Sequence, residues 1–496
     1  MTFLAVRAAL LAKPKTMRGW IFLSGVCATL LVSLLTIRQP VFFRFLDSKV
    51  YDTLLRSEYS GRGHAPDNPV IVDIDEQSLA RFGQWPWPRY RVGLLVRKIQ
   101  EQGAAGICLD MFFPEADRTS LNVVQEDIRR EYGMQLDLRA IPAHLADNDA
   151  IFSEILAKGP FVLSYDFLFS GEGTTRGECP LHPLQTAIMG KPGAPATPAG
   201  LFQATGAVCS VPALSKAAPA SGFFNVIPDA DGVLRRVPLL IEFKGRLYPT
   251  LALATVLQSA GTGRPVLKVS PRGLESIVVG DTAIPVDSKA NLLIRFHEKG
   301  KHFTTIPARD FLLDRVPRNR IEGRIVILGS SAAGLEKLHA TPLTPALPGA
   351  EIHATIIDNI LKKEFISRPY WAPGMELMAV LFCGVISALL MSWTRSILGL
   401  SLISLVGVGL WLASGWMLGS RGIFLSPLFP LVTLGCNFSL LTFIKYWREE
   451  QTVKTRNREL VVMQNFTIQC LAALTETRDS ETGRHIERCQ HYVRIL

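Results

Sequence analysis

The sequence predicts an α/β extracytoplasmic domain, built on a mostly parallel sheet and framed by four membrane-spanning helices, with a helical tail behind it. Three observations carry this reading. The 496 residues are 48% hydrophobic and only 19% charged, with a mean hydropathy of +0.23. That is more apolar than a soluble protein of this length usually is. Four uncharged stretches are long enough to cross a bilayer. Between the first and second of them, short apolar runs alternate with stretches of helical spacing.

The first span is residues 20–37, bounded by Arg18 and Arg38. It is long for a signal-peptide core, and no small-x-small cleavage site follows before Arg38, so an uncleaved anchor is expected, with residues 1–19 in the cytoplasm. The other three spans are residues 375–394, 397–419 and 422–444, separated by short links around Arg395 and Arg421. Four spans place both termini on one side. Arg7, Lys13, Lys15 and Arg18 at one end, and Lys445, Arg448, Lys454, Arg456 and Arg458 at the other, mark that side as cytoplasmic. Residues 38–374 then lie outside.

The formal charge of +10 does not indicate nucleic acid. Residues 38–374 hold 38 basic and 35 acidic side chains, so the excess sits mostly beside the spans.

Within residues 38–374, apolar runs at 69–75, 105–113, 161–167 and 324–329 predict buried strands. Residues 90–101, 148–157 and 352–361 predict helices between or after them. Residues 233–243 and 247–248, joined by Lys244-Gly-Arg246, predict a hairpin leading into a helix from Thr250. Residues 177–219, rich in Pro, Gly and Ala, are expected to form a long loop. Residues 445–470 read as a signalling helix. Val453, Asn457, Leu460, Gln464, Thr467, Leu471 and Leu474 follow a 3-4 spacing, which fits a short coiled coil or an ordinary amphipathic helix.

Cys27, Cys383 and Cys436 fall in spans and Cys108 in an apolar run, where cysteine acts as a small hydrophobe. Cys179 and Cys209 flank the Pro/Gly-rich segment; whether they pair is left open by the sequence. No Cys/His cluster suggests zinc.

Four segments carry a resemblance. They are Val72-Asp-Ile-Asp-Glu-Gln-Ser78 with Gly83-Gln-Trp-Pro-Trp-Pro-Arg89; Leu109-Asp-Met-Phe-Phe-Pro-Glu115; residues 222–236, from Gly-Phe-Phe-Asn to Leu-Arg-Arg; and Gly323-Arg-Ile-Val-Ile-Leu-Gly329, running to Pro348-Gly-Ala-Glu-Ile-His353. Together, over residues 42–370, they resemble CHASE2, an extracytoplasmic sensor domain of bacterial receptors. The resemblance implies a periplasmic sensor in the bacterial inner membrane. The family often has an acid where Lys337 stands, which puts a ligand role there in doubt.

Asp73, Asp75 and Asp110 sit at or near the ends of expected strands, where open α/β sheets bind ligands. Trp85 and Trp87 follow closely and would wall a pocket. A small-molecule or cation site is one reading of these five residues. Turn-capping aspartates and core tryptophans are the other. Pro228-Asp-Ala-Asp-Gly232 has too few ligands for a calcium loop and reads as a turn. Gly329-Ser-Ser-Ala-Ala-Gly334 lacks the Gly-Lys-Ser/Thr of a phosphate loop and reads as a tight strand-to-helix turn.

Residues 471–496 contain Arg478-Asp-Ser-Glu-Thr-Gly-Arg-His485 and Tyr492-Val-Arg494. This segment resembles the opening of the HD-GYP domain, a metal-dependent phosphodiesterase that hydrolyses cyclic di-GMP. The resemblance makes Glu481 and His485 metal ligands, and their i, i+4 spacing lets both reach one cation from a helix face. A complete domain of this kind uses a divalent metal, iron or manganese, to activate a hydroxide. No His-Asp pair or Gly-Tyr-Pro follows before Leu496, so a truncated output without catalytic residues is expected of this chain. The expectation as a whole is a homodimeric membrane receptor for an unknown extracytoplasmic ligand. Another output, such as a nucleotide cyclase or kinase, or a non-catalytic scaffold, is the alternative. The absence of charged residues in the span interiors, such as 377–393, argues against transport.

Overall fold

The computed structural model describes residues 17–58, 68–135, 141–142, 145–169, 179–190, 193, 198, 200–261, 264–296, 303–334, 337–394, 396–476, 488–489, 491–493 and 495. The chain forms two compact units. One comprises residues 1–44, 373–412 and 427–496, the other residues 45–372 and 413–426.

In chain order, the helices α1 (Met17–Arg38) and α2 (Val41–Glu58) come first. There follow β1 (Val70–Asp73), α3 (Glu76–Phe82), α4 (Arg89–Glu101), β2 (Gly106–Leu109), α5 (Leu121–Tyr132), α6 (Asn148–Leu156) and β3 (Phe161–Leu168). Next are β4 (Ala187–Gly190), β5 (Gln203–Ala204), β6 (Gly206–Val208), α7 (Pro212–Ala217) and β7 (Ala220–Phe223). Then come β8 (Arg236–Pro238), β9 (Leu240–Phe243), β10 (Arg246–Pro249), α8 (Leu251–Ala260), β11 (Val266–Ser270), β12 (Gly273–Val279), β13 (Thr282–Pro285) and β14 (Asn291–Leu293). The α/β region closes with β15 (Thr305–Pro307), α9 (Ala308–Leu312), β16 (Ile325–Gly329), β17 (Leu338–His339), β18 (Leu347–Pro348) and α10 (Gly349–Lys362). Three long helices end the chain: α11 (Ala372–Trp393), α12 (Ser396–Arg421) and α13 (Leu428–Glu476).

The α/β unit is organised on one seven-stranded sheet in the order β15-β1-β16-β2-β3, with β7 and β6 both on β3. Its ladders are parallel except β3–β6. Antiparallel pairing gathers in smaller sheets, such as β11–β12–β13 and β9–β10, so the unit as a whole is mixed. Both faces of the main sheet are covered. Ile71, Cys108, Val162 and Ile327 pack one face beneath α8 and α10. Val70, Val72, Ile107, Leu109, Leu163 and Leu328 pack the other beneath α3, α4, α6 and α7. Burial on two sides explains why these strands are continuous apolar runs rather than alternating ones.

The β9–β10 hairpin turns through Lys244 and Gly245, both at positive φ (50° and 72°). That backbone twist matches the twist of the flanking strands.

Residues 177–219 depart from the long loop expected of them. They contain β4, β5, β6 and α7. Each strand has two to four residues, and its partner is distant in sequence: β4 pairs β11, β5 pairs β9 and β6 pairs β3. Such strands leave no local periodicity, because the pairing partner supplies their stability. Cys179 and Cys209 are disulfide-bonded across this segment, with their Cα atoms 5.8 Å apart.

Among the described residues, four helices are long and apolar enough to cross a membrane: α1, α11, α12 and α13. Ile21, Cys383, Ala388, Ile403, Leu434 and Leu441 pack between them. Leu31, Phe382 and Leu405 are exposed, which is where apolar side chains belong on a lipid-facing surface. One polar node ties three of these helices. The Nδ2 of Asn437 on α13 donates to Thr29 Oγ1 on α1 and to Ser387 Oγ and the Gly384 carbonyl on α11, at 3.2, 2.8 and 3.2 Å. The last of these helices begins at Leu428, after Gly422 at φ 64° and Pro427. From there α13 runs without a break into the expected signalling helix.

Candidate functional site

Parallel strands in an open sheet aim their carboxyl ends at one edge, and side chains just past those ends converge there. In this protein β16, β2, β3 and β7 are neighbours. Ser330 follows β16, Asp110 follows β2, Asp166 lies near the end of β3, and Phe224 and Asn225 follow β7. These residues line a cavity of about 490 Å³, together with Trp85, Lys337 and His339 and with Gly349, Ala350 and His353 from the first turns of α10. The start of α10 comes close because position 329 is glycine. A Cβ there would lie 2.8 Å from the Ala350 Cβ.

Two polar groups form the floor, one buried and one partly exposed. His353 is 3% exposed, and its Nδ1 has no hydrogen-bond partner among the described residues. Its Nε2 stands 3.7 Å from Asp110 Oδ1, beyond hydrogen-bond length. The Asp110 side chain is 15% exposed. Burial pushes the Asp110 carboxyl up to about 7, against the pull of Lys337. Burial, assisted by nearby His339, pushes His353 down to about 4, so it is neutral at physiological pH. Asp166 is also raised by burial, opposed by Lys337 and by the hydrogen bond it accepts from Asn225 Nδ2. His339 is lowered by burial and by Lys337.

The wall is aromatic. Phe112 and Phe224 stack with ring centroids 5.6 Å apart. The ammonium of Lys337 lies 5.0 Å from the centre of the Phe224 ring. The site thus offers two carboxylates, two neutral imidazoles and aromatic faces, with one lysine as internal counter-ion.

Of the five site residues expected from sequence, Asp110 and Trp85 line this cavity. The other three have local roles. Asp73 accepts hydrogen bonds from the Ser331 N–H, at 2.7 Å, and from the Ser331 hydroxyl, which ties β1 to the loop after β16. Asp75 caps α3 by accepting from the Ser78 N–H at 2.8 Å. Trp87, expected to wall a pocket, is fully buried instead. Its Nε1 donates to the Gly83 carbonyl at 2.7 Å, and its ring packs edge-on against Phe82. The long side chain of Trp87 points into the core below the sheet edge. Asp166, Asn225, His339 and His353 went unassigned in the sequence. Two signals were present: an acid inside the apolar run 161–167, and a histidine ending Pro348-Gly-Ala-Glu-Ile-His353.

Glu481 and His485 lie outside the described residues. Among the described residues, no three His, Cys, Asp or Glu side chains are grouped to hold a metal ion.

A second cavity, of about 510 Å³, is lined by Arg236, Arg272, Asp287, Arg368 and Tyr370, among others. Arg236 is paired with Asp229 at 3.2 Å and Arg368 with Asp47 at 3.3 Å. The Asp110 cavity is the better candidate because it lies past the carboxyl ends of the parallel strands, where open α/β sheets bind ligands.

Pro228-Asp-Ala-Asp-Gly232 does form a turn, with the Gly232 N–H donating to the Asp229 carbonyl. Its two aspartates serve Arg235. That guanidinium is 1% exposed and is held by Asp52, Asp229 and Asp231 at 2.7 to 2.9 Å.

A "Probable cyclic di-GMP phosphodiesterase" of Vibrio cholerae serotype O1 is 51% identical to this chain over 47 residues, 10% of this chain and 11% of that protein. The chain therefore spans about a ninth of the length of that curated relative. No solved structure matches. The CHASE2 domain family matches residues 27–390, well over half of the chain. The chain belongs to the CHASE2 domain family.

Proposed function

We propose that this protein is a transmembrane receptor whose CHASE2 domain binds a small extracytoplasmic molecule in the Asp110–His353 cavity and controls a cyclic di-GMP phosphodiesterase output. The observation that carries the binding claim is a cavity at the carboxyl edge of the sheet, floored by Asp110 and by a buried His353 whose Nδ1 has no hydrogen-bond partner among the described residues. Buried polar groups are normally hydrogen-bonded, and a group left open toward a cavity is poised for a ligand.

Several observations support the rest. The Cys179–Cys209 disulfide suits an oxidising compartment, in keeping with a periplasmic domain of an inner-membrane protein. The basic residues flanking the first and last spans favour a cytoplasmic location for both termini. The short match to a phosphodiesterase, with the Arg478–His485 run, favours that output over a cyclase or kinase. In a complete output domain Glu481 and His485 would bind iron or manganese, which supplies an activated hydroxide. Val453, Asn457 and Leu460 are exposed on the continuous helix α13, as a parallel homodimer through that helix requires. Signal passes if the ligand prefers one arrangement of the spans over another.

The test uses the full gene product in nanodiscs with Mn²⁺ and cyclic di-GMP. Hydrolysis that responds to periplasmic extract, and loses the response but not the basal rate in a His353→Leu variant, is the expected result. Basal hydrolysis unchanged by His485→Ala would remove the proposed output.

A further inference from the structure

We propose that the ligand of the Asp110 cavity is a small organic ammonium ion, whose N–H donors pair with Asp110 and Asp166 while its body lies on the Phe112–Phe224 stack. This rests on the receptor reading of the cavity and adds the chemistry of what it binds.

The cavity holds two acidic side chains against one ammonium, that of Lys337. The Asp110 carboxylate accepts no hydrogen bond among the described residues, although its side chain is only 15% exposed. Asp166 accepts one, from Asn225. His353, neutral and 97% buried, adds a ring nitrogen without a partner. A neutral imidazole has one acceptor nitrogen, so the floor is acceptor-rich. An anion would meet two acidic side chains there, offset by the single ammonium of Lys337. A cation meets two acceptors in a poorly solvated site, where charge-assisted hydrogen bonds are strong.

The walls make the same selection. An ammonium within about 6 Å of an aromatic centroid is attracted by the ring face. The protein already shows this: Lys337 Nζ lies 5.0 Å from the Phe224 centroid. Lys337 is exposed and sits on a loop preceding β17, so its side chain can leave. It acts as a tethered stand-in for the ligand's ammonium and competes with it. The departure from the family's acid at this position then has a consequence: this protein's affinity is set partly by expelling its own lysine.

The experiment measures thermal stabilisation and calorimetric binding on the full chain in nanodiscs. The probes are primary amines of two to eight carbons, the matching carboxylates, and free amino acids. Amines, with or without amino acids, should bind, and carboxylates should not. Asp110→Asn should weaken binding by about tenfold or more, the loss of one charge-assisted hydrogen bond. Lys337→Met should tighten amine binding several-fold, an opposite shift that misfolding cannot imitate. Binding of carboxylates in preference to amines, or no binding of any probe, overturns the proposal. So does a Lys337→Met variant with weaker amine binding. Amine binding without any change in phosphodiester hydrolysis would leave the ligand class standing and remove the coupling. Hydrolysis that responds to a carboxylate would do the reverse.

Discussion

Arg235 and His353 are buried to nearly the same degree, 1% and 3% exposed, but their surroundings are opposites. Every donor of the Arg235 guanidinium is used. Nε and Nη2 grip Asp52 in a two-pronged pair, and Nη1 and Nη2 reach Asp229 and Asp231. The bonds to Arg235 and Lys49 hold Asp231 well below the usual carboxylate range. Around His353 the polar groups face a cavity, and burial is the largest influence on their protonation, with smaller ones from His339 and Lys337. A closed ionic cluster is what a fold builds to fix its own geometry. An open one costs stability unless something else completes it, so it marks the place where a ligand enters.

The largest effect expected from this contrast is at Arg235. An Arg235→Met variant leaves three carboxylates of the cluster without their cation, and loss of one partner of a buried ion pair costs about 3–5 kcal/mol. Chemical unfolding of the full chain in detergent checks it; a loss under about 1 kcal/mol would show that the cluster rearranges and is less rigid than its bond lengths suggest.

The two tryptophans divide in the same way. Trp87 is fully buried in the core, whereas Trp85 lines the cavity. Trp87→Ala should cost about 3–5 kcal/mol, as large-to-small core changes do. Trp85→Ala should change stability far less while weakening ligand binding. Equal losses in thermal melts would erase the distinction between core and cavity wall.

Asp110 gives a pH signature. Its folded pKa, about 7, lies above the ordinary unfolded value of about 3.9. The folded state therefore holds the proton more tightly than the unfolded one. Stability contributed by this group is intact below about pH 4 and is lost as pH rises toward 7, by on the order of 4 kcal/mol. Relative to wild type, Asp110→Asn should gain stability between pH 4 and 7 and hold that gain above it. A difference between the two proteins that stays flat from pH 4 to 8 would mean that Asp110 is ionised throughout.

The smallest effect belongs to the helical unit. Asn437 is fully buried, donates to α1 and α11, and has no partner for its Oδ1 among the described residues. Interhelical hydrogen bonds in membranes average about 0.6 kcal/mol. Asn437→Leu should therefore shift the melting of the full chain only slightly. A loss of several kcal/mol would place Asn437 with Arg235 as a fixed structural cluster.

Much of the α/β framework was legible. The runs at 69–75, 105–113, 161–167 and 324–329 contain β1, β2, β3 and β16. These central strands are buried on both faces, so their whole length must be apolar. Residues 90–101, 148–157 and 352–361 coincide closely with α4, α6 and α10, because a helix packed on a sheet carries its own 3.6-residue period. The edge strand β15, with three residues, and the strands within 177–219 left no such trace. The helix α2 was also missed. Its buried face includes Asp52, whose partner Arg235 is 183 residues away.

By itself the sequence determined the order of spans, the alternation of strands and helices, and the position of Asp110 at a strand end. Each of these is a local property: the length of an apolar run, its period, or the residue that follows it. Only the tertiary structure decided which aspartates are consumed. Asp73 and Asp110 look alike in the chain, yet Ser331 hydrogen-bonds the first, while the second faces the cavity beside His353. Likewise only folding brought Asp166, Lys337 and His353 to Asp110 from three other elements. Whether a polar side chain caps a turn or faces a ligand depends on the donors that the rest of the chain carries to it, and those donors are distant in sequence.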